Sequence, residues 1–112
     1  MSEARAESAP WQRACALEDV PDEGAIRVWL DDAPICVARS NGDIHAISDV
    51  CSHAEVALSE GEVEDGSVEC WLHGSRFDLK TGKPTGLPAT KAVPVYETNV
   101  DNGDVYVLLE KR

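Results

Sequence analysis

The chain has 112 residues, 43% of them apolar, which is enough for one compact core, leaves no room for a second, and excludes a disordered chain. Its 21 acidic residues against 10 basic ones give a formal net charge of -11, which excludes the basic footprint of a nucleic-acid binder and favours a partner with a basic docking face. No apolar run approaches the length that crosses a bilayer, so no membrane partner is expected.

Met1 to Pro10 is polar and rich in Ala, Ser and Glu, with neither the basic start nor the apolar core of a signal peptide; it reads as a mobile tail of a cytoplasmic protein. A single domain is expected over 11–112. Its first half reads as strands at Trp11 to Ala16, Ala25 to Leu30, Pro34 to Arg39 and Asp43 to Ser48. Asp31-Asp32 and Ser40-Asn41-Gly42 are the turns between the last three, and Asn41-Gly42 is a strong signal for a tight reversal. Ala54 to Ser59 could make one helical turn. Short strand-like pieces follow at Gly61 to Val63, Ser67 to Trp71 and Ser75 to Asp78. Two clear strands close the chain, Lys91 to Asn99 and Asp104 to Glu110, joined by Asp101-Asn102-Gly103. The sum is an all-β fold, a sandwich or barrel with a loop-built insert between Cys51 and Pro88.

The chemistry is concentrated in two hooks, Cys51-Ser52-His53 and Cys70-Trp71-Leu72-His73. Thiols of a chain without an export signal stay reduced, so metal binding is the better expectation for these cysteines than a disulfide. A thiolate and an imidazole one or two residues apart on a tight loop can reach one metal centre, and two such loops supply a full shell. Ligand count alone leaves zinc and iron–sulfur both open. Spacing helps: zinc modules usually group Cys with Cys and His with His, whereas a [2Fe–2S] centre with two cysteines on one iron and two histidines on the other takes one of each from each loop, as the order here allows.

With these motifs the sequence resembles the Rieske family, most closely its small soluble ferredoxins, over nearly all of Trp11 to Leu109. Cys51-Ser52-His53 is similar to the first cluster-binding box, Cys70 through Asp78 to the second, and Thr81-Gly82-Lys83 through Leu87-Pro88 to the proline loop over the cluster. The resemblance implies the Rieske fold: an antiparallel sandwich or barrel base with a cluster-binding subdomain at about 49–89. It implies one [2Fe–2S] cluster per chain, with Cys51 and Cys70 on the inner iron and His53 and His73 on the outer. High-potential relatives add a disulfide between the boxes, where this chain has Val56 and Leu72, and a tyrosine where it has Phe77. Both departures point to a midpoint in the lower part of the Rieske range. Ser75 stands where the family has a serine able to bond a bridging sulfide, and an ordinary turn serine is the equal alternative.

Other residues read more plainly. Cys15 and Cys36 fall at apolar strand positions and are expected in the core. His45 is expected to be a surface or satisfied histidine. Trp71 could meet a partner or pack inside. Gly82, Pro84, Gly86 and Pro88 are expected to shape a loop that keeps water from one side of the site. The acidic group Glu55, Glu60, Glu62, Glu64 and Asp65 either solvates a loop or aims a basic partner.

The function implied is that of a monomeric one-electron carrier between a flavin-dependent NAD(P)H reductase and a terminal oxygenase, not itself an enzyme. An oxygenase subunit would need a further mononuclear iron with two histidines and a carboxylate, and the chain has three histidines in all. The alternative is a small subunit of a larger reductase, such as an assimilatory nitrite reductase.

Overall fold

The computed structural model describes residues 11–51, 56–72, 74–85 and 91–109. The expected tail at 1–10, the acidic Glu55, the start of the helical turn at Ala54, the loop residues Gly86 and Pro88, the strand end at Glu110 and, most importantly, His53 and His73 lie outside the described residues.

The described chain makes strands β1 (Trp11–Ala16), β2 (Gly24–Leu30), β3 (Ala33–Ser40), β4 (Asp43–Ser48), β5 (Val63–Glu64), β6 (Ser67–Glu69), β7 (Arg76–Asp78), β8 (Val95–Asp101) and β9 (Asp104–Leu108). Its only helical pieces are 3₁₀ turns at Leu17–Asp19 and Leu58–Glu60. Six strands form one antiparallel sheet in the order β1-β9-β8-β4-β3-β2, and three form a second, β5-β6-β7. The large sheet curls until its edges approach, and Gln12 of β1 donates a 2.8 Å hydrogen bond to Asp31 at the end of β2.

Four of the reversals are two-residue turns: Asp31-Asp32, Asn41-Gly42, Asp65-Gly66 and Asn102-Gly103 close pairs whose flanking residues are in register. In each turn both residues have positive φ, the backbone twist that lets right-handed strands pair directly. Glycine takes the second position at little cost in three of them; Asp31-Asp32 holds the same shape with two side chains that tolerate it.

β3 explains how two sheets share one small chain. Ile35 and Val37 point into the curled sheet, with Val105, Val107 and Ala46, while Cys36 and Ala38 point to the other face, with Ile47. Side chains alternate along a strand, so a strand covered on both faces reads as a continuous apolar run, here Ile35-Cys36-Val37-Ala38. Against the second face pack Leu58, Val63, Val68, Phe77, Leu79 and Val93, together with Cys51 and Cys70. The small sheet is fixed to the base by Ser40, whose hydroxyl accepts from the Gly66 N–H at 2.7 Å and donates to Glu23 at 3.0 Å.

Three expected strands are revised. The last-but-one begins at Val95 rather than Lys91, because Pro94 has no N–H to give a ladder. Ser67 to Trp71 ends at Glu69, since the Cys70 N–H turns to the Ser75 carbonyl. Gly61 to Val63 is displaced to Val63–Glu64 by the turn at Asp65-Gly66.

Candidate metal centre

Each hook is a loop built the same way. The Cys51 N–H donates to the Val56 carbonyl at 3.1 Å and the Cys70 N–H to the Ser75 carbonyl at 2.6 Å, so both loops are closed five residues beyond their cysteine. The second is further tightened by the Gly74 N–H on the Cys70 carbonyl at 2.9 Å, at a glycine with φ of 80°. The first follows β4, and the second joins the paired ends of β6 and β7, Glu69 and Arg76. Two separate strand ends are thereby brought to one edge of the second core.

Both thiols are inside. Cys51 is 3% and Cys70 0% exposed, and both belong to the one apolar cluster between the sheets. An apolar surround of this kind controls the access of solvent to a site built on these two sulfurs. Ser75 is wholly buried beside them. Val56, where a disulfide cysteine would stand in high-potential relatives, packs on the same cluster, and Leu72, the other such position, is 41% exposed. Phe77 is wholly buried, paired with Val68 and bridged to Pro84, which lays 83–85 beside β7.

The remaining expectations separate cleanly. Cys15 and Cys36 are buried thiols in the two cores, and burial pushes the pKa of both upward, which keeps them inert. His45 is half-buried beside a polar hollow that includes Asp43, Asp65, Asp78 and Lys80, and burial lowers its pKa. Trp71 is 51% exposed, which removes the core-packing alternative. It lines a hollow of about 360 Å³ with Glu60, Gly61, Glu62 and Glu69.

The group that holds the first loop is not apparent from the sequence motifs. Asp49 is wholly buried and accepts from Arg27 Nε at 2.7 Å, and from the Ser59 N–H and hydroxyl at 2.6 Å each. The signal was an acid two residues before Cys51 and just past a strand end, where only a paired carboxylate can be buried. Gly61 is not apparent from them either: a Cβ there would overlap the carbonyl oxygen of Glu69, next to Cys70.

A small all-β chain with two matched cysteine loops set into one dry core has the construction that can hold an iron–sulfur centre. The profile of the Rieske [2Fe-2S] domain matches residues 10–97, and the chain belongs to that family. It is 43% identical over 96 residues to the 3-phenylpropionate/cinnamic acid dioxygenase ferredoxin subunit of Escherichia coli K12, covering 84% of this chain and 89% of that one. The ferredoxin of carbazole 1,9a-dioxygenase from Nocardioides aromaticivorans IC177 superposes with a TM-score of 0.83 at 33% identity, covering 89% of this chain and 98% of that one. A chain in the complex of reduced oxygenase and oxidized ferredoxin of carbazole 1,9a-dioxygenase does so at 0.84 and 36%, covering 91% and 95%. The cofactor is therefore one Rieske-type [2Fe–2S] cluster, and the chain is a ferredoxin-type electron carrier and not itself a catalyst. These relatives favour the ferredoxin over the nitrite reductase small subunit.

Proposed function

We propose that this ferredoxin holds its cluster through Cys51, His53, Cys70 and His73, and passes single electrons from a flavin-dependent NAD(P)H reductase to the terminal oxygenase of a ring-hydroxylating system. The observation that carries the ligand assignment is the equivalence of the two loops, each opened by a buried cysteine whose N–H is tied five residues on. Histidine stands two residues after the first cysteine and three after the second, within the span those ties enclose. Bound there, the cluster supplies one-electron redox chemistry with no proton or group transfer by the protein.

The chain's own residues do the rest. Cys51 and Cys70 lie in the core and suit the inner iron, and the family resemblance assigns His53 and His73 to the outer one. The oxygenase as acceptor is supported by the ferredoxin–oxygenase complex of the carbazole system, and the reductase as donor follows from the need to refill a one-electron carrier. Trp71 and Leu72, both exposed beside Cys70, form an apolar contact, with Glu60, Glu62 and Glu69 as an acidic border. That combination fits a partner surface with an apolar centre and basic rim. Residues 49–89 act as the cluster-binding part of one domain in a monomer, and the cytoplasm is the compartment in which Cys15 and Cys36 stay reduced.

His53→Ala and His73→Ala tests the assignment against Cys15→Ser and Cys36→Ser. The histidine variants should lose or convert the cluster signal, and the cysteine pair should keep the spectrum of the parent protein. An unchanged spectrum after either histidine change would overturn the ligand set.

A further inference from the structure

A carboxylate out of water is costly unless it is paired and hydrogen-bonded, so Asp49 must be read through its donors. It sits two residues before Cys51 with no exposed surface. Its Oδ1 accepts from the Ser59 N–H at 2.6 Å; its Oδ2 accepts from the Ser59 hydroxyl at 2.6 Å and from Arg27 Nε at 2.7 Å. Arg27 also donates through Nη2 to the Asp49 carbonyl at 3.2 Å, and the Asp49 N–H donates to the Pro34 carbonyl at 2.9 Å. The guanidinium is held in turn over the Trp29 ring, 5.1 Å from its centroid.

The topology gives these bonds a purpose. Asp49 precedes the Cys51 loop and Ser59 follows it, so the pair of bonds between them joins the two ends of the segment that carries Cys51 and His53. Arg27 comes from β2, the edge strand of the large sheet, and ties that closed loop to the base. The charges also reach inward: the thiol of Cys36, in the same apolar cluster as Cys51 and Cys70, is pushed up by burial first, then by Asp49, and is drawn back by Arg27.

We propose that Asp49, with Arg27 as its counter-ion, is the positioning residue of the first ligand loop, clasping it shut through Ser59 and setting the charge felt on the Cys51 side of the cluster. This rests on Cys51 being a ligand. Outer partners of metal ligands orient them and tune the metal, and at an electron carrier the tuning is read directly as a potential.

Three variants of the full holoprotein test it: Asp49→Asn, Arg27→Gln and Ser59→Ala. Midpoints are taken by EPR-monitored redox titration at neutral pH and iron loss by a chelator assay. Removing the negative charge in Asp49→Asn favours the reduced cluster, so the midpoint rises; Arg27→Gln leaves the carboxylate uncompensated, so it falls. Ser59→Ala keeps both charges but opens the clasp, and iron is lost faster by about 10- to 100-fold, the scale for outer partners of metal ligands. A merely structural role would disturb both charge variants alike. Shifts of the same sign in Asp49→Asn and Arg27→Gln, no shift in either, or iron loss from Ser59→Ala at the parent rate would each overturn the proposal. Should Asp49→Asn fail to fold, a fall of the midpoint in Arg27→Gln with faster iron loss in Ser59→Ala supports it, and failure of either refutes it. A parent protein lacking the Rieske signal would instead refute the ligand assignment.

Discussion

Gly61→Ala sets two physical effects against each other, and the sign of the result says which governs the approach to Cys70. Gly61 has φ of -91° and ψ of -171°, extended backbone that alanine adopts freely. On chain entropy alone the substitution would stabilise by about 0.4–1 kcal/mol. The added Cβ, however, would overlap the carbonyl oxygen of Glu69 and lie 2.9 Å from its carbon. No rotamer change relieves this, because the obstacle is backbone, held by the Glu69 N–H on the Glu62 carbonyl at 2.8 Å and by pairing with Arg76. Overpacking of this kind costs about 1–3 kcal/mol and should outweigh the entropic gain. For a domain of this size one kcal/mol moves the apparent Tm by roughly 4 °C, so once the entropic gain is taken off a drop of up to about 10 °C is expected. Thermal unfolding should be followed by circular dichroism and by the visible absorbance of the cluster on one sample. Because Glu69 is the residue before Cys70, bleaching should begin at lower temperature than loss of strand signal. A variant that melts at or above the parent protein would refute the claim that the backbones meet without room for a methyl group.

Three further outcomes follow from the same account. Burial lowers the pKa of His45 from its ordinary 6.5, so the folded chain gives up a proton that the unfolded chain keeps; the contribution is complete above that value and is lost as pH falls through the folded pKa. His45→Gln should therefore flatten the decline in stability between about pH 7 and pH 5, and a slope identical to the parent's would contradict it. With Phe77 offering no hydroxyl to a ligand sulfur, the midpoint should lie below about +100 mV, in the lower part of the roughly -150 to +300 mV Rieske range, and a higher value measured by redox titration would remove that argument. If the acidic border around Trp71 steers the acceptor, Glu60→Gln with Glu62→Gln should weaken the salt dependence of electron transfer to the oxygenase, and Trp71→Ser should slow it at all salt concentrations; unaltered stopped-flow rates in both would place docking elsewhere.

Much of this was legible in the sequence because it depends on local signals. Asn41-Gly42 and Asn102-Gly103 name their own turns, and the strands around them alternate. The family was legible from the hooks, since few arrangements need a Cys and a His from each of two loops. What escaped depends on contacts between distant segments. The hairpin of β5 and β6 has strands of two and three residues, too short for a period to show, and Asp65 ends an acidic group that hides its turn with Gly66. Gly61 is constrained by Glu69, eight residues away, and nothing local distinguishes it from a flexible glycine. Asp49 and Arg27 are 22 residues apart and meet only because β3 pairs with β2 on one side and with β4, which leads into Asp49, on the other. The exposure of Trp71, for which packing inside was the other expectation, is decided by which side of its loop it takes.

The most direct test is an EPR spectrum of anaerobically purified, dithionite-reduced protein, with iron and zinc determined on the same sample. A rhombic signal with an average g below that of an all-cysteine cluster is expected, at two irons per chain. An EPR-silent sample rich in zinc and poor in iron would contradict it, leaving Cys51, His53, Cys70 and His73 as structural zinc ligands with no electron to carry.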